Sequence, residues 1–213
     1  MPEFIRVGFD PDFVDYQTGL DLQRKIHSEV SEGQRPNTIL LLEHSSVYTA
    51  GKRTDISELP NDGSAFFETD RGGKITWHGP GQLIGYPIMH LPQPIDVVGY
   101  VRFLEQTIIE VIAEFGVSGI RVEGRSGVWV ETEEGVQKLA AIGIRVAQKV
   151  TMHGFALNCE NSLEPYEHII ACGIQDAKTT TLSQICGRTI SVMDVVRLIE
   201  KRMGEIPNAR IKA

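Results

Sequence analysis

Apolar positions along the chain follow two rhythms, a period of two and a period near 3.6, and each marks a different element. Ile5, Val7 and Phe9 alternate with other residues and predict a first strand. Tyr16, Leu20, Ile26 and Val30 lie on roughly one face of a helix that Gly33 and Pro36 close. Thr38 to Leu42 is a continuous apolar run, suited to a strand buried on both faces. The stretch from His44 to Gly51 is polar and small and reads as a loop leading out of a sheet. His44 is open there between closing a turn and facing a ligand. Pro60, Asn61, Asp62 and Gly63 mark a turn-rich connection.

Ile75-Thr76-Trp77 has strand character, and Leu83 to Ile88 is a longer strand-like run. The clearest helical pattern runs from Asp96 to Phe115. Val97, Val101, Leu104, Ile108, Val111, Ile112 and Phe115 form its core-facing stripe, Asp96 is its N-cap and Gly116 its terminator. The second half reads as strands at Ile120–Val122, Gly127–Val130, Lys138–Val146 and Met152–Leu157, with an acidic turn from Glu131 to Gly135. A short helix is predicted over Leu163–Ile169 and a last one over Val192–Met203, where Ser191 and Asp194 have capping-box spacing. Strands come in adjacent runs rather than in strict alternation with helices. That predicts an α+β fold, a mixed sheet with helices packed on it, rather than a doubly wound one. With no repeat or linker, residues 1–213 read as a single domain.

Composition narrows the function. Hydrophobic content of 41% and charged content of 23% suit a soluble globular protein. A formal net charge of −7 argues against a general nucleic-acid binder. No apolar run approaches the roughly 18 residues that span a bilayer. Met1-Pro2-Glu3-Phe4 lacks a signal-peptide core, so a cytoplasmic location is expected. Three cysteines, Cys159, Cys172 and Cys186, are too few and too scattered for a disulfide framework or a zinc site.

The candidate chemistry centres on Arg71-Gly72-Gly73-Lys74-Ile75-Thr76-Trp77-His78-Gly79-Pro80-Gly81-Gln82. Paired glycines beside basic residues suit a loop that holds a ligand, and they equally suit a hairpin with two tight turns. Cys159 and Cys186 read as buried, inert thiols. Cys172 precedes Gly173 and a polar run, a setting from which a thiol can project into a cleft. A nucleophilic cysteine must become a thiolate, which calls for a nearby base or cation. Lys138 leads the apolar run Leu139 to Ile144. A lysine desolvated in such a setting can take a thiol proton, while one that only ends a turn snorkels to water. Ala140, Ala141, Gly143, Gly154 and Ala156 leave room beside Ile142, Ile144 and Phe155, as an apolar slot or as close strand packing.

Four blocks together carry a specific resemblance: the Arg71–Gln82 run, Lys138-Leu139-Ala140-Ala141-Ile142-Gly143, His153-Gly154-Phe155-Ala156-Leu157-Asn158 and Ala171-Cys172-Gly173-Ile174. In order and spacing they resemble the octanoyltransferases of lipoate biosynthesis, and most of all the actinobacterial members. The resemblance implies the catalytic-domain fold of the biotin and lipoate protein ligases. It implies transfer of an octanoyl group from acyl carrier protein to a lysine on lipoyl domains of E2 subunits and of the glycine-cleavage H protein. Cys172 would carry the acyl group as a thioester, and Lys138 would serve as acid and base. Arg71, Gly72, Gly73, Lys74, Ile75, Thr76, Trp77 and His78 would line the acyl site with Ala141, Ile142, Gly143, Gly154, Phe155 and Ala156. No metal, nucleotide or other cofactor is implied, and no nucleic-acid or membrane partner.

Burying an eight-carbon chain at roughly 0.8 kcal/mol per CH₂ gives about 5 kcal/mol, enough to discriminate against chains two or three carbons shorter. An acidic chain docking an acidic carrier needs a local basic face, and Arg71, Lys74, Arg121, Arg125, Arg145 and Lys149 are its candidates. Beside an amidotransferase that passes octanoyl between lipoyl domains, which also uses a cysteine and differs in its donor, two further rival readings remain on sequence grounds. One is an ATP-dependent lipoate or biotin protein ligase of the same fold, for which Cys172 is dispensable. The other is a non-catalytic module that binds lipoyl domains.

Overall fold

The computed structural model describes residues 1–170 and 178–205. Its strands are β1 (Glu3–Gly8), β2 (Thr38–Leu42), β3 (Val47–Ala50), β4 (Phe66–Glu68), β5 (Thr76–His78), β6 (Gln82–Ile88), β7 (Gly119–Val122), β8 (Arg125–Thr132), β9 (Gly135–Ala147) and β10 (Val150–Asn158). Its α-helices are α1 (Tyr16–Ser31), α2 (Val97–Ala113), α3 (Leu182–Cys186) and α4 (Val192–Gly204). Seven strands form one sheet in the order β1-β2-β6-β10-β9-β8-β7. Only β1 and β2 run parallel in it; the other neighbours are antiparallel. Three more form a small sheet, β4-β3-β5. This is the predicted mixed sheet with helices on it.

The unbroken apolar run in β2 now has its reason. Ile39 and Leu41 enter a core shared with α2 and α4, whereas Leu40 and Leu42 enter a second core shared with α1. Alternate side chains of a strand point to opposite faces, so a strand covered on both needs no polar positions. Asp96 caps α2 by accepting from Gly99 N at 2.8 Å, and Ser191 and Asp194 form a reciprocal box at the start of α4. The hairpin between β9 and β10 turns on Gln148 (φ 50°) and Lys149 (φ 66°), a two-residue turn with both residues left-handed.

Several expectations need correction. Val47–Ala50 is not loop but the central strand of the small sheet. Its β-branched and aromatic residues pair with β4 and β5, partners that come later in the chain, and four residues are too few for a periodic signal. The strand predicted at Ile75–Trp77 lies one residue later, at Thr76–His78. Val97 is 44% exposed at the first turn of α2 and does not face the core. The short helix predicted at Leu163–Ile169 is a 3₁₀ turn over Glu164–His168. Helix α3, at five residues, is too short for periodicity to announce it.

Candidate functional site

A cleft of about 250 Å³ opens where the small sheet and the loop before β5 meet β9 and β10. Three consecutive cross-strand pairs line it: Ala141 with Ala156, Ile142 with Phe155, and Gly143 with Gly154. The β9–β10 hairpin therefore brings two separate sequence blocks into register. Ile142 and Phe155 also belong to the core under α2 and α4, so the cleft is continuous with well-packed apolar side chains.

The loop block is divided by strand alternation. Lys74, Thr76 and His78 line the cleft, as do Arg71 and Gly73. Ile75 and Trp77 are buried on the other side with Tyr48 and Ile169 and do not line it. Gly72 serves as a backbone contact, its N–H donating to Ile144 O at 2.9 Å. A Cβ on Gly143 would meet Gly72 O at 2.9 Å, so the loop sits against β9 only because that position has no side chain.

Arg71 is the buried pin of this loop. Its guanidinium donates to Thr49 O at 2.5 Å, Thr49 Oγ1 at 2.9 Å, Lys74 O at 2.8 Å and Gly72 O at 3.1 Å. The candidate basic face is correspondingly reduced. Lys74 pairs with Glu58, Arg121 with Glu105, and Arg145 with Asp70. Arg71, Lys74, Arg121 and Arg145 are thus already engaged within the fold, which lowers the net positive charge that face offers.

Lys138 lies almost wholly buried in the cleft, and its Nζ is 4.9 Å from the centroid of the Trp129 ring. The indole face is a cation's natural neighbour. The Lys138 N–H donates to Lys178 O at 2.8 Å, and Thr180 N donates to Lys138 O at 2.9 Å. The chain therefore runs directly alongside the lysine when it re-enters the described residues at Lys178. Cys172 lies outside the described residues. Cys159 is fully buried, and burial pushes its thiol well up, which fits an inert role.

A layer of buried polar rings backs the cleft. His44 Nε2 lies 2.7 Å from Tyr86 Oη and its Nδ1 2.8 Å from Val14 O, while His78 Nδ1 lies 2.8 Å from Gln82 Oε1. Burial lowers His44 to about 4. Burial, with the neighbouring His44 and Arg71 charges, lowers His78 to about 3. His153 is a buried non-glycine residue at φ 58°, with its N–H on Gln23 Oε1 at 2.9 Å and Nε2 2.7 Å from Asp70 Oδ1. Burial lowers the His153 pKa although Asp70 opposes it. Burial pushes Asp70 up, but the His153 hydrogen bond and the His153 and Arg145 charges outweigh that and hold it below its ordinary value.

Residues that sequence reasoning did not place at the site include Tyr16, Arg53, Tyr86, and Gly124 of the β7–β8 turn with Arg125 and Ser126 at the start of β8. Gly124-Arg125-Ser126-Gly127 repeats the pattern of glycines beside a basic residue and was the available signal. That stretch is fixed by Glu105, a fully buried carboxylate of α2 that accepts from Gly127 N at 3.0 Å. Among the described residues no group of three His, Cys, Asp or Glu side chains is placed to hold a metal ion. Nor is any described helix long and apolar enough to cross a membrane.

Comparison with known proteins places this geometry. Residues 15–204 match the family model described as the lipoyl protein ligase A/B catalytic domain. The octanoyltransferase of Leifsonia xyli subsp. xyli is 57% identical over 93% of this chain and 90% of its own. That of Clavibacter sepedonicus is 50% identical over 95% and 90%, and that of Renibacterium salmoninarum 53% over 94% and 87%. In fold, P. falciparum LipL1 in complex with lipoate superposes with a TM-score of 0.71 at 14% identity, covering 96% of this chain and 62% of the other. The biotin protein ligase of Aquifex aeolicus with biotin and ATP gives 0.57 at 12% identity, over 96% and 70%. Identities that low speak to the fold alone, and that fold is the one shared by lipoate and biotin protein ligases.

Proposed function

Because the chain belongs to the lipoyl protein ligase A/B catalytic-domain family, with octanoyltransferases as its near relatives, we propose that it transfers an octanoyl group from acyl carrier protein to a lysine of lipoyl domains. The acceptors would be E2 subunits and the glycine-cleavage H protein, in the cytoplasm. The observation that carries this reading is the position of Lys138. It shares a cleft with an apolar slot, and the chain following Cys172 is hydrogen-bonded to both its backbone groups.

In this reading Cys172 is the nucleophile and Lys138 its acid and base. Lys138, as the base of the pair, accepts the Cys172 thiol proton. The thiolate attacks the carbonyl carbon of the donor thioester, the bond to the donor sulfur breaks, and the departing thiolate takes the proton back. The acyl group then rests on Cys172 as a new thioester. The acceptor lysine attacks as a neutral amine, its proton passes to Lys138, and Cys172 leaves as a thiolate. The slot between Ala141–Gly143 and Gly154–Ala156 holds the alkyl chain and fixes the carbonyl relative to the sulfur.

Intact mass after mixing with octanoyl-acyl carrier protein, without ATP, tests this. One octanoyl increment on the wild type and none on Cys172→Ala is expected. No adduct on the wild type, with modification of a lipoyl domain appearing only when ATP and free octanoate are supplied, would replace the transferase with a ligase.

A further inference from the structure

The walls of the cleft carry charge of one sign. Arg53, Arg71, Lys74, Arg125 and Lys138 line it, with no aspartate or glutamate among the described lining residues. This happens in a chain whose formal net charge is −7. Most of these cations already have work within the fold. Arg71 is spent on backbone carbonyls, Lys74 on Glu58, and Lys138 and Arg125 lie over the Trp129 ring.

Arg53 differs. Its backbone is fixed, with Arg53 N donating to Gly73 O at 3.1 Å and the next residue's N–H closing a turn onto Gly51 O at 3.0 Å. Its side chain is exposed and lines the cleft, and no described carboxylate pairs with it. A rooted backbone, a guanidinium with no described carboxylate partner and a described cleft lining without acids together suit an anion.

We propose that Arg53 binds the phosphodiester of the arm that tethers the acyl thioester to its carrier. This rests on the carrier-bound donor reading given above. The planar fork of a guanidinium matches two phosphate oxygens, and the charge-assisted pair it makes is stronger than a neutral one. An alkyl chain held in the slot must send its arm out to solvent, and Arg53 is a lining residue whose side chain is exposed. The residue thereby distinguishes a phosphorylated donor from a bare thioester.

The test compares octanoyl-4′-phosphopantetheine with octanoyl-pantetheine as donors to a lipoyl domain, for wild type, Arg53→Ala, Arg53→Lys and Lys52→Ala. The quantity read is the ratio of kcat/KM for the two donors. Arg53→Ala is expected to lower that ratio about tenfold. Arg53→Lys should restore part of it, and Lys52→Ala, an exposed neighbour outside the cleft, should leave it within about twofold. An unchanged ratio in Arg53→Ala, or an equal fall in Lys52→Ala, overturns the assignment while leaving the transferase intact. A wild-type enzyme that uses neither these donors nor octanoyl-acyl carrier protein removes the transferase reading and the phosphate site with it.

Discussion

Ala141 and Ala156 lie directly opposite each other across the β9–β10 ladder, and both line the cleft. Two methyl groups facing across a ladder leave the depth that a long alkyl chain needs. Filling either should shorten the chain accepted. Ala156→Leu is expected to lower the octanoyl-to-hexanoyl ratio of kcat/KM by about tenfold, since each methylene excluded forfeits roughly 0.8 kcal/mol. Competition between the two acyl donors measures this directly, and an unaltered ratio would remove these strands from the acyl site.

Lys138 over Trp129 supplies a second prediction. Lys138→Met keeps the stem's packing and removes the basic nitrogen. Octanoyl transfer should fall by about 10²- to 10⁴-fold, the usual range for a lost acid–base group, with the melting transition close to wild type. Trp129→Leu should also slow transfer, and Trp129→Phe, which keeps an aromatic face, should slow it less. Activity within tenfold of wild type in Lys138→Met would assign the lysine a structural role only.

The buried histidines make the protein acid-sensitive. His44 and His78 titrate near 4 and 3 in the fold against 6.5 for the unfolded chain, so both stay neutral when folded and the unfolded state binds their protons first. The stability they permit is present above 6.5 and is lost as pH falls below it. Two such groups give a slope of about 2.7 kcal/mol per pH unit once the pH is below about 5.5. Urea melts from pH 7 to pH 4.5 would show it, and His78→Gln should remove about half the slope whatever it does to stability at pH 7.

Arg71→Lys tests whether the loop block is pinned as described. A lysine carries the charge but cannot reach carbonyls in three directions with one nitrogen. About 3 kcal/mol of stability should go, read as a lower urea midpoint at unchanged slope, together with octanoyl transfer. Retained stability would mean that the loop holds itself.

These residues also show what a sequence exposes and what it hides. The four-block resemblance pointed to Lys138, Ala141–Gly143 and Gly154–Ala156, which line one cleft, whereas small residues in apolar strands by themselves suit a slot and close packing equally. Their pairing in register depends on a two-residue turn at Gln148 and Lys149, whose left-handed geometry neither residue type announces. Arg71 looked like a ligand group because its glycine neighbours are equally suited to binding and to tight turns. Only the inward direction of the Thr49, Gly72 and Lys74 carbonyls decides between them. Arg53 was silent because an exposed arginine has no pattern of its own; that no described carboxylate pairs with it is a property of space, not of sequence.

The central position of β10 has a consequence for how the chain comes together. Among the described residues it is the last strand in sequence, yet it stands between β6 and β9. Without it, β1-β2-β6 and β7-β8-β9 would be two half-sheets, each with a bare edge open to wrong partners. Leu157 must find Leu83 on one side and Ala140 on the other, which makes closure a long-range and slow event. The same strand sets Ala156 beside Ala141 through the local hairpin and joins β6 on its other side, so one wall of the cleft is built from neighbouring chain while its support comes from a strand far earlier in the sequence.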